Sequence, residues 1–136
     1  MRVVLDTNIL LVSVSIRSKY HWVYRSLLDQ KYEIAVSNSI LNEYEEKIGE
    51  HWHPDVAKDV IRALLELPNV IPTLISFEFG LIVQDPDDNK FVDCVVASNA
   101  DYLVSNDKDF SVLKSISFPQ VRVLSISEFK EIIDRL

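Results

Sequence analysis

Short apolar runs alternating with helical patterns predict an α/β fold, a parallel sheet covered by helices on both faces. The runs Arg2-Val3-Val4-Leu5, Glu33-Ile34-Ala35-Val36 and Tyr102-Leu103-Val104 lack apolar–polar alternation, as expected of strands buried on both sides. Each stops at a polar cluster: Asp6-Thr7-Asn8, Ser37-Asn38-Ser39 and Ser105-Asn106-Asp107. Between the runs apolar residues recur three and four apart, so strand and helix alternate, and that order implies right-handed βαβ crossovers. At 136 residues the chain falls within the roughly 100–200 expected of one domain, so residues 1–136 read as a single unit.

The elements follow in order. After the first strand, Trp22, Val23, Leu27 and Leu28 mark a helix that leads to the strand at 33–36. Leu41, Tyr44 and Ile48 mark the next helix, and Val56, Val60, Ile61, Leu64 and Leu65 the one after it. Pro54 suits a first helical turn, whereas Pro68 and Pro72 prevent continuation and predict a break over 68–80. Beyond Asp85-Pro86-Asp87-Asp88, the stripe Phe91, Val92, Val95 and Val96 leads into the strand at 102. Val121 to Leu124 is a further strand. Ser125 and Glu128 have the spacing of a capping box for a last helix with Ile126, Phe129, Ile132, Ile133 and Leu136 on its apolar side.

Composition narrows the function classes. Hydrophobic residues at 48% and charged residues at 26% are globular values and exclude a disordered or fibrous chain. No apolar run approaches the ~18 residues of a membrane span, and Asp6 interrupts MRVVLDTN where a signal peptide needs its apolar centre. A soluble cytoplasmic protein with no membrane partner is expected. Cys94 is the only cysteine, so an internal disulfide and a Cys-based zinc cage are excluded and a buried small hydrophobe is expected. The net charge of -7 argues against nucleic-acid binding by overall attraction, so any such role must rest on a local site. Two glycines are too few for the phosphate-cradling loops GxxxxGK[ST] or GxGxxG.

In parallel sheets function collects at the carboxyl ends of strands. Four carboxylates stand there: Asp6 after the first strand, Glu43 one turn into the helix after the second, Asp88 at a helix start and Asp107 after the Tyr102 strand. Any one of them could serve as a helix cap or complement a helix dipole. Asp6 is harder to explain so, because a carboxylate directly after a buried strand loses hydration unless something meets it. Several carboxylates at one edge would repel one another and raise pKa values unless a cation binds. Oxygen-only ligands favour Mg²⁺ or Mn²⁺ over Zn²⁺. Such ions can polarise a phosphoryl oxygen and generate hydroxide, and a pair about 3.5–4 Å apart can clamp a phosphodiester.

VVLDTN, SILNEY around Glu43 and DPDDNKFVDCVVASNADYLVSNDKDF, in this order, resemble a PIN domain, in particular the VapC-like ribonuclease branch of bacterial toxins from toxin–antitoxin pairs. The resemblance runs from Arg2 to about Leu124. It implies a three-layer α/β/α sandwich around a parallel sheet, and cleavage of RNA with Mg²⁺ or Mn²⁺. It implies RNA as substrate, with a cognate antitoxin and a second copy of the chain, in a homodimer, as candidate partners. Residue by residue, it implies Asp6, Glu43, Asp88 and Asp107 as the catalytic, metal-binding positions, with Asn8 and Ser105 as polar support. Ser105 stands where the family usually has Thr and keeps the hydroxyl. Asp87, Asp88 and Asp93 compete for the third position. Asp88 is chosen because it shares a helical face with Val92 and Val95, with Asp93 pointing elsewhere and kept as support.

Arg17, Lys19, His21 and Arg25 follow the first strand; Arg17, Lys19 and Arg25 are candidates for holding an RNA backbone. A solvated helix face is the alternative. His51 and His53 are two apart and do not face each other on a helix, so they read as a solvated helix end. Lys108 and Asp109 read as surface turn residues, and Trp22 and Trp52 as packing. A receiver domain needs an acidic pair after its first strand, but here Asp6 is followed by Thr7 and Asn8. An Asp-nucleophile phosphatase needs DxDx[TV], and Asn8 replaces its second Asp. A catalytically silent PIN-like module that binds RNA or protein is the remaining alternative. The presence of all four acids counts against it, since folding does not require them together.

Overall fold

Strands β1 (Arg2–Leu5), β2 (Glu33–Val36), β3 (Val70–Pro72), β4 (Tyr102–Val104) and β5 (Val123–Leu124) form one parallel sheet in the order β3-β2-β1-β4-β5. This is a computed structural model and describes residues 1–136. Val3 pairs with Ile34 on one side and Tyr102 on the other, which places β1 at the centre. Successive strand side chains point to opposite faces, yet Val3, Val4 and Leu5 are all fully buried. Both faces are therefore covered, giving three layers. The covering helices are α1 (Thr7–Ser13), α2 (His21–Leu28), α3 (Asn38–His51), α4 (Pro54–Glu66), α5 (Asn89–Ser98) and α6 (Ile126–Asp134). Two 3₁₀ segments, Pro86–Asp88 and Lys108–Ser115, sit at the ends of connections.

One contiguous core of 31 buried apolar side chains joins the layers. Tyr44 of α3 is fully buried, and its hydroxyl donates to the carbonyl of Leu5 at 2.6 Å. That bond ties α3 to the last residue of β1, one position before Asp6. The capping box of the last helix is formed: Ser125 Oγ accepts from the Glu128 N–H, and Glu128 Oε1 accepts from the Ser125 N–H. Cys94 is buried, as its isolation in the sequence predicts. No helix is long and apolar enough to cross a membrane.

The structure departs from the sequence expectations at several places. A helix, α1, follows β1 at once, although Ile9-Leu10-Leu11-Val12 is a continuous apolar run with no helical alternation. The break expected over 68–80 contains β3. Pro72 is tolerated there because β3 is the sheet edge, where a missing N–H removes no ladder bond. The strand expected over 121–124 is confined to Val123–Leu124. Leu65 and Leu136, both assigned to apolar helix faces, are exposed. Trp52 is 45% exposed and meets His51 edge-on, so it is not the packing residue expected. Trp22 does pack, against Phe129.

Candidate metal centre

The sheet order reverses direction between β1 and β4, and the carboxyl ends of these neighbours form the crevice where α/β sheets bind ligands. Asp6 leaves β1 there, almost fully buried, with its N–H still donating to the carbonyl of Val104. Its Oδ2 accepts from Ser105 Oγ at 2.7 Å, and Ser105 Oγ accepts in turn from the Asp107 N–H at 2.9 Å. One hydroxyl thus fixes the ends of both strands relative to each other. Burial raises the Asp6 carboxyl above the usual range; the Ser105 bond opposes this, and the charges of Asp107 and Glu43 reinforce it.

Asp107 follows β4 and caps the second 3₁₀ segment: its Oδ1 accepts from the Asp109 N–H at 2.9 Å. Asp88 closes the first 3₁₀ segment and precedes α5, but its side chain makes no capping bond. The Asp88 Oδ2 atom is buried and has no hydrogen-bond partner. Burial, then the charges of Asp85, Asp6, Asp107 and Asp109, push the Asp88 carboxyl up to about 7. An orphaned buried carboxylate oxygen among like charges is costly unless something positive meets it. The donor set is all oxygen, which fits a hard divalent cation such as Mg²⁺ or Mn²⁺.

Glu43 is placed differently. Its Oε2 accepts from the Thr7 hydroxyl, and its Oε1 accepts from Lys90 Nζ at 2.7 Å. Lys90 Nζ also reaches Asp87 Oδ1 at 3.0 Å. Hydrogen bonding from Lys90 lowers the Asp87 carboxyl. Burial opposes the charge on Lys90, but its bonds to Glu43 and Asp87 outweigh this and raise the ammonium's pKa. Asp93 lies on α5 and accepts from the Phe79 N–H at 3.1 Å, so it anchors the irregular stretch after β3. Burial raises its carboxyl; the bond from the Phe79 N–H opposes this and the charge of Glu78 reinforces it.

A pocket of about 270 Å³ opens beside Asp6 and Asp107, with Asn8, Tyr20 and Asn106 as polar lining and Ile9, Val12 and Ile126 as apolar lining. Asn8 is exposed there. Of the basic residues noted in the sequence, Lys19 stands over the ring of Tyr20, a lining residue of the pocket, at 5.0 Å. Arg17 is exposed, Arg25 is paired within its helix to Asp29, and His21 Nδ1 meets the carbonyl of Ser13.

Three residues that touch the centre were given no role in the sequence reading: Lys90, Thr7 and Asp85. Carboxylate oxygens of Asp85, Asp88 and Asp109 lie within 4.8 Å of one another, so Asp109, read from the sequence as a surface turn residue, stands in an acidic group with Asp88. The signal for Lys90 was its place in DPDDNK, a lone cation two residues past Asp88 in an otherwise acidic run.

A family model described as PIN domain matches residues 2–109. The fold is similar to VapBC2 from Rickettsia felis, solved bound to a DNA fragment from their promoter, with TM-score 0.64 and 19% identity over 92% of this chain and 98% of that one. It is also similar to Mycobacterium tuberculosis VapC20, a Sarcin-Ricin loop cleaving toxin, with TM-score 0.59 and 14% identity over 88% of this chain and 98% of that one. At such identities the likeness concerns the fold alone. No curated protein matches the chain by sequence.

Proposed function

The chain belongs to the PIN domain family, and from that premise we propose that it is a Mg²⁺- or Mn²⁺-dependent endoribonuclease, the toxin of a toxin–antitoxin pair. The observation that carries this reading is the buried, unpartnered Oδ2 of Asp88, set among the charges of Asp85, of Asp6 and Asp107 at the carboxyl ends of β1 and β4, and of Asp109. Asp6, Asp88 and Asp107 would hold the cation, and Glu43 completes the acidic set. When bound, the ion polarises a phosphoryl oxygen and lowers the pKa of an attacking water.

The chain's own residues do the positioning. Ser105 orients Asp6 and the Asp107 loop with one hydroxyl. Asn8 offers an amide at the pocket, and Lys19, beside the lining residue Tyr20, supplies positive charge for an RNA backbone, with Arg17 and Arg25 as further candidates. The net charge of -7 makes such a local basic edge necessary, because the molecule as a whole repels phosphate. Similarity to a structure named as VapBC2 supports an antitoxin as partner. A homodimer and a cytoplasmic location belong to the same reading.

Incubation with total RNA tests it. Cleavage is expected with Mg²⁺ or Mn²⁺ and is expected to stop in excess chelator. Robust cleavage in chelator overturns the mechanism.

A further inference from the structure

Resting on the metal-dependent reading above, we infer that the Lys90 ammonium stands in for a second cation on Glu43, so that the centre takes one divalent ion per chain. Both Glu43 carboxylate oxygens are engaged by the protein, one by Lys90 Nζ at 2.7 Å and the other by the Thr7 hydroxyl. The pair is enclosed, with side chains 13% and 16% exposed. Asp87 grips the same ammonium from its other side at 3.0 Å.

Nothing in helix formation favours this lysine. Lys90 lies in the first turn of α5, where the helix dipole disfavours a cation. It is kept there by the two carboxylates. A two-ion clamp requires ions about 3.5–4 Å apart, which share carboxylate ligands. An ammonium on Glu43 occupies one carboxylate oxygen and repels a second dication. Asp88 is the converse case, because its Oδ2 has no partner in the protein and awaits one ion.

The test counts ions without using activity: Mn²⁺ titration of the full chain, with free Mn²⁺ read by electron paramagnetic resonance. Wild type is expected to bind one Mn²⁺ per chain. Lys90→Met is expected to bind two, and Lys90→Arg, which keeps the charge, one. A wild-type count of two, or a folded Lys90→Met that still binds one, overturns the inference. Circular dichroism checks folding. Lys90→Gln replaces the Met variant if that fails to fold, and the wild-type count decides if neither folds. Chelator-sensitive cleavage together with an unchanged count in Lys90→Met removes only the stand-in role. The absence of saturable Mn²⁺ binding in wild type removes the nuclease reading as well.

Discussion

Replacing Asp88 by Asn should stabilise the metal-free protein, and only above a certain pH. The Asp88 carboxyl is displaced from an ordinary 3.8 to about 7 by burial and by the charges of Asp85, Asp6, Asp107 and Asp109. The folded state therefore favours the protonated form. A carboxyl raised on folding gives full stability below its unfolded pKa and loses it as pH rises through the folded value, here from about 4 to about 7. At about 1.4 kcal/mol per pH unit the unscreened loss is about 4 kcal/mol; solvent contact at this partly exposed side chain reduces it to about 1–2 kcal/mol. Asn carries no charge and lacks this loss. In chelator at pH 8, Asp88→Asn should melt about 3–7 °C above wild type, given about 2.1 cal/mol/K of unfolding entropy per residue. At pH 4 the two should coincide. Mn²⁺ at pH 8 should reverse the order by stabilising wild type through preferential binding to the folded state. Melting curves at both pH values, with and without metal, measure all of this. A variant less stable than wild type at every pH, with equal metal shifts in both proteins, would refute the crowding argument and make Asp88 an ordinary structural residue.

Other substitutions probe the remaining contacts. Asp6→Asn should abolish RNA cleavage and leave the circular dichroism spectrum unchanged; wild-type activity would remove Asp6 from the metal site. Asp88→Asn should damage cleavage far more than Asp93→Asn, because Asp93 is committed to the Phe79 N–H, and the reverse order in a cleavage assay would move the third acidic position to Asp93. Lys90→Met in chelator should lower stability by about 3 kcal/mol in a urea titration, since it strands Glu43 in an enclosed site. Adding Glu43→Gln should recover most of that loss. Tyr44→Phe should cost about 1–3 kcal/mol by depriving the Leu5 carbonyl of its buried donor, and a neutral result would show that the carbonyl finds another partner.

The sheet was readable where strands are buried on both faces, because such strands are bare apolar runs. Arg2–Leu5, Glu33–Val36 and Tyr102–Val104 match the observed strands for that reason. β3 was not readable, since Pro72 looks like a breaker until its place at the sheet edge is known. α1 was missed because packing against α2 and α3 overrides the local preference of Ile9-Leu10-Leu11-Val12. Asp6 and Asp107 stand out as acids directly after strands, and Glu43 and Asp88 as acids near helix starts; Asp107 and Glu43 act on the Asp6 carboxyl, and Asp6 and Asp107 on that of Asp88. Lys90 was hidden because its role depends on α3 reaching α5 across a sequence gap of 47 residues. The local pattern DPDDNK flags the cation but not the carboxylate it meets.

The hydroxyl bridge between Ser105 and Asp6 spans 99 residues of chain, and that distance governs when the protein acquires its chemistry during synthesis. β1 leaves the ribosome early but gains its second neighbour only when β4 has emerged. Pairing of parallel strands so far apart closes slowly. Until then Asp6 has no Ser105 to orient it and Asp107 does not yet exist as a neighbour. The acidic centre is thus incomplete for as long as β1 lacks β4. The crevice exists only once β4 lies beside β1, so the candidate centre is assembled in one late step of folding and not piece by piece along the chain.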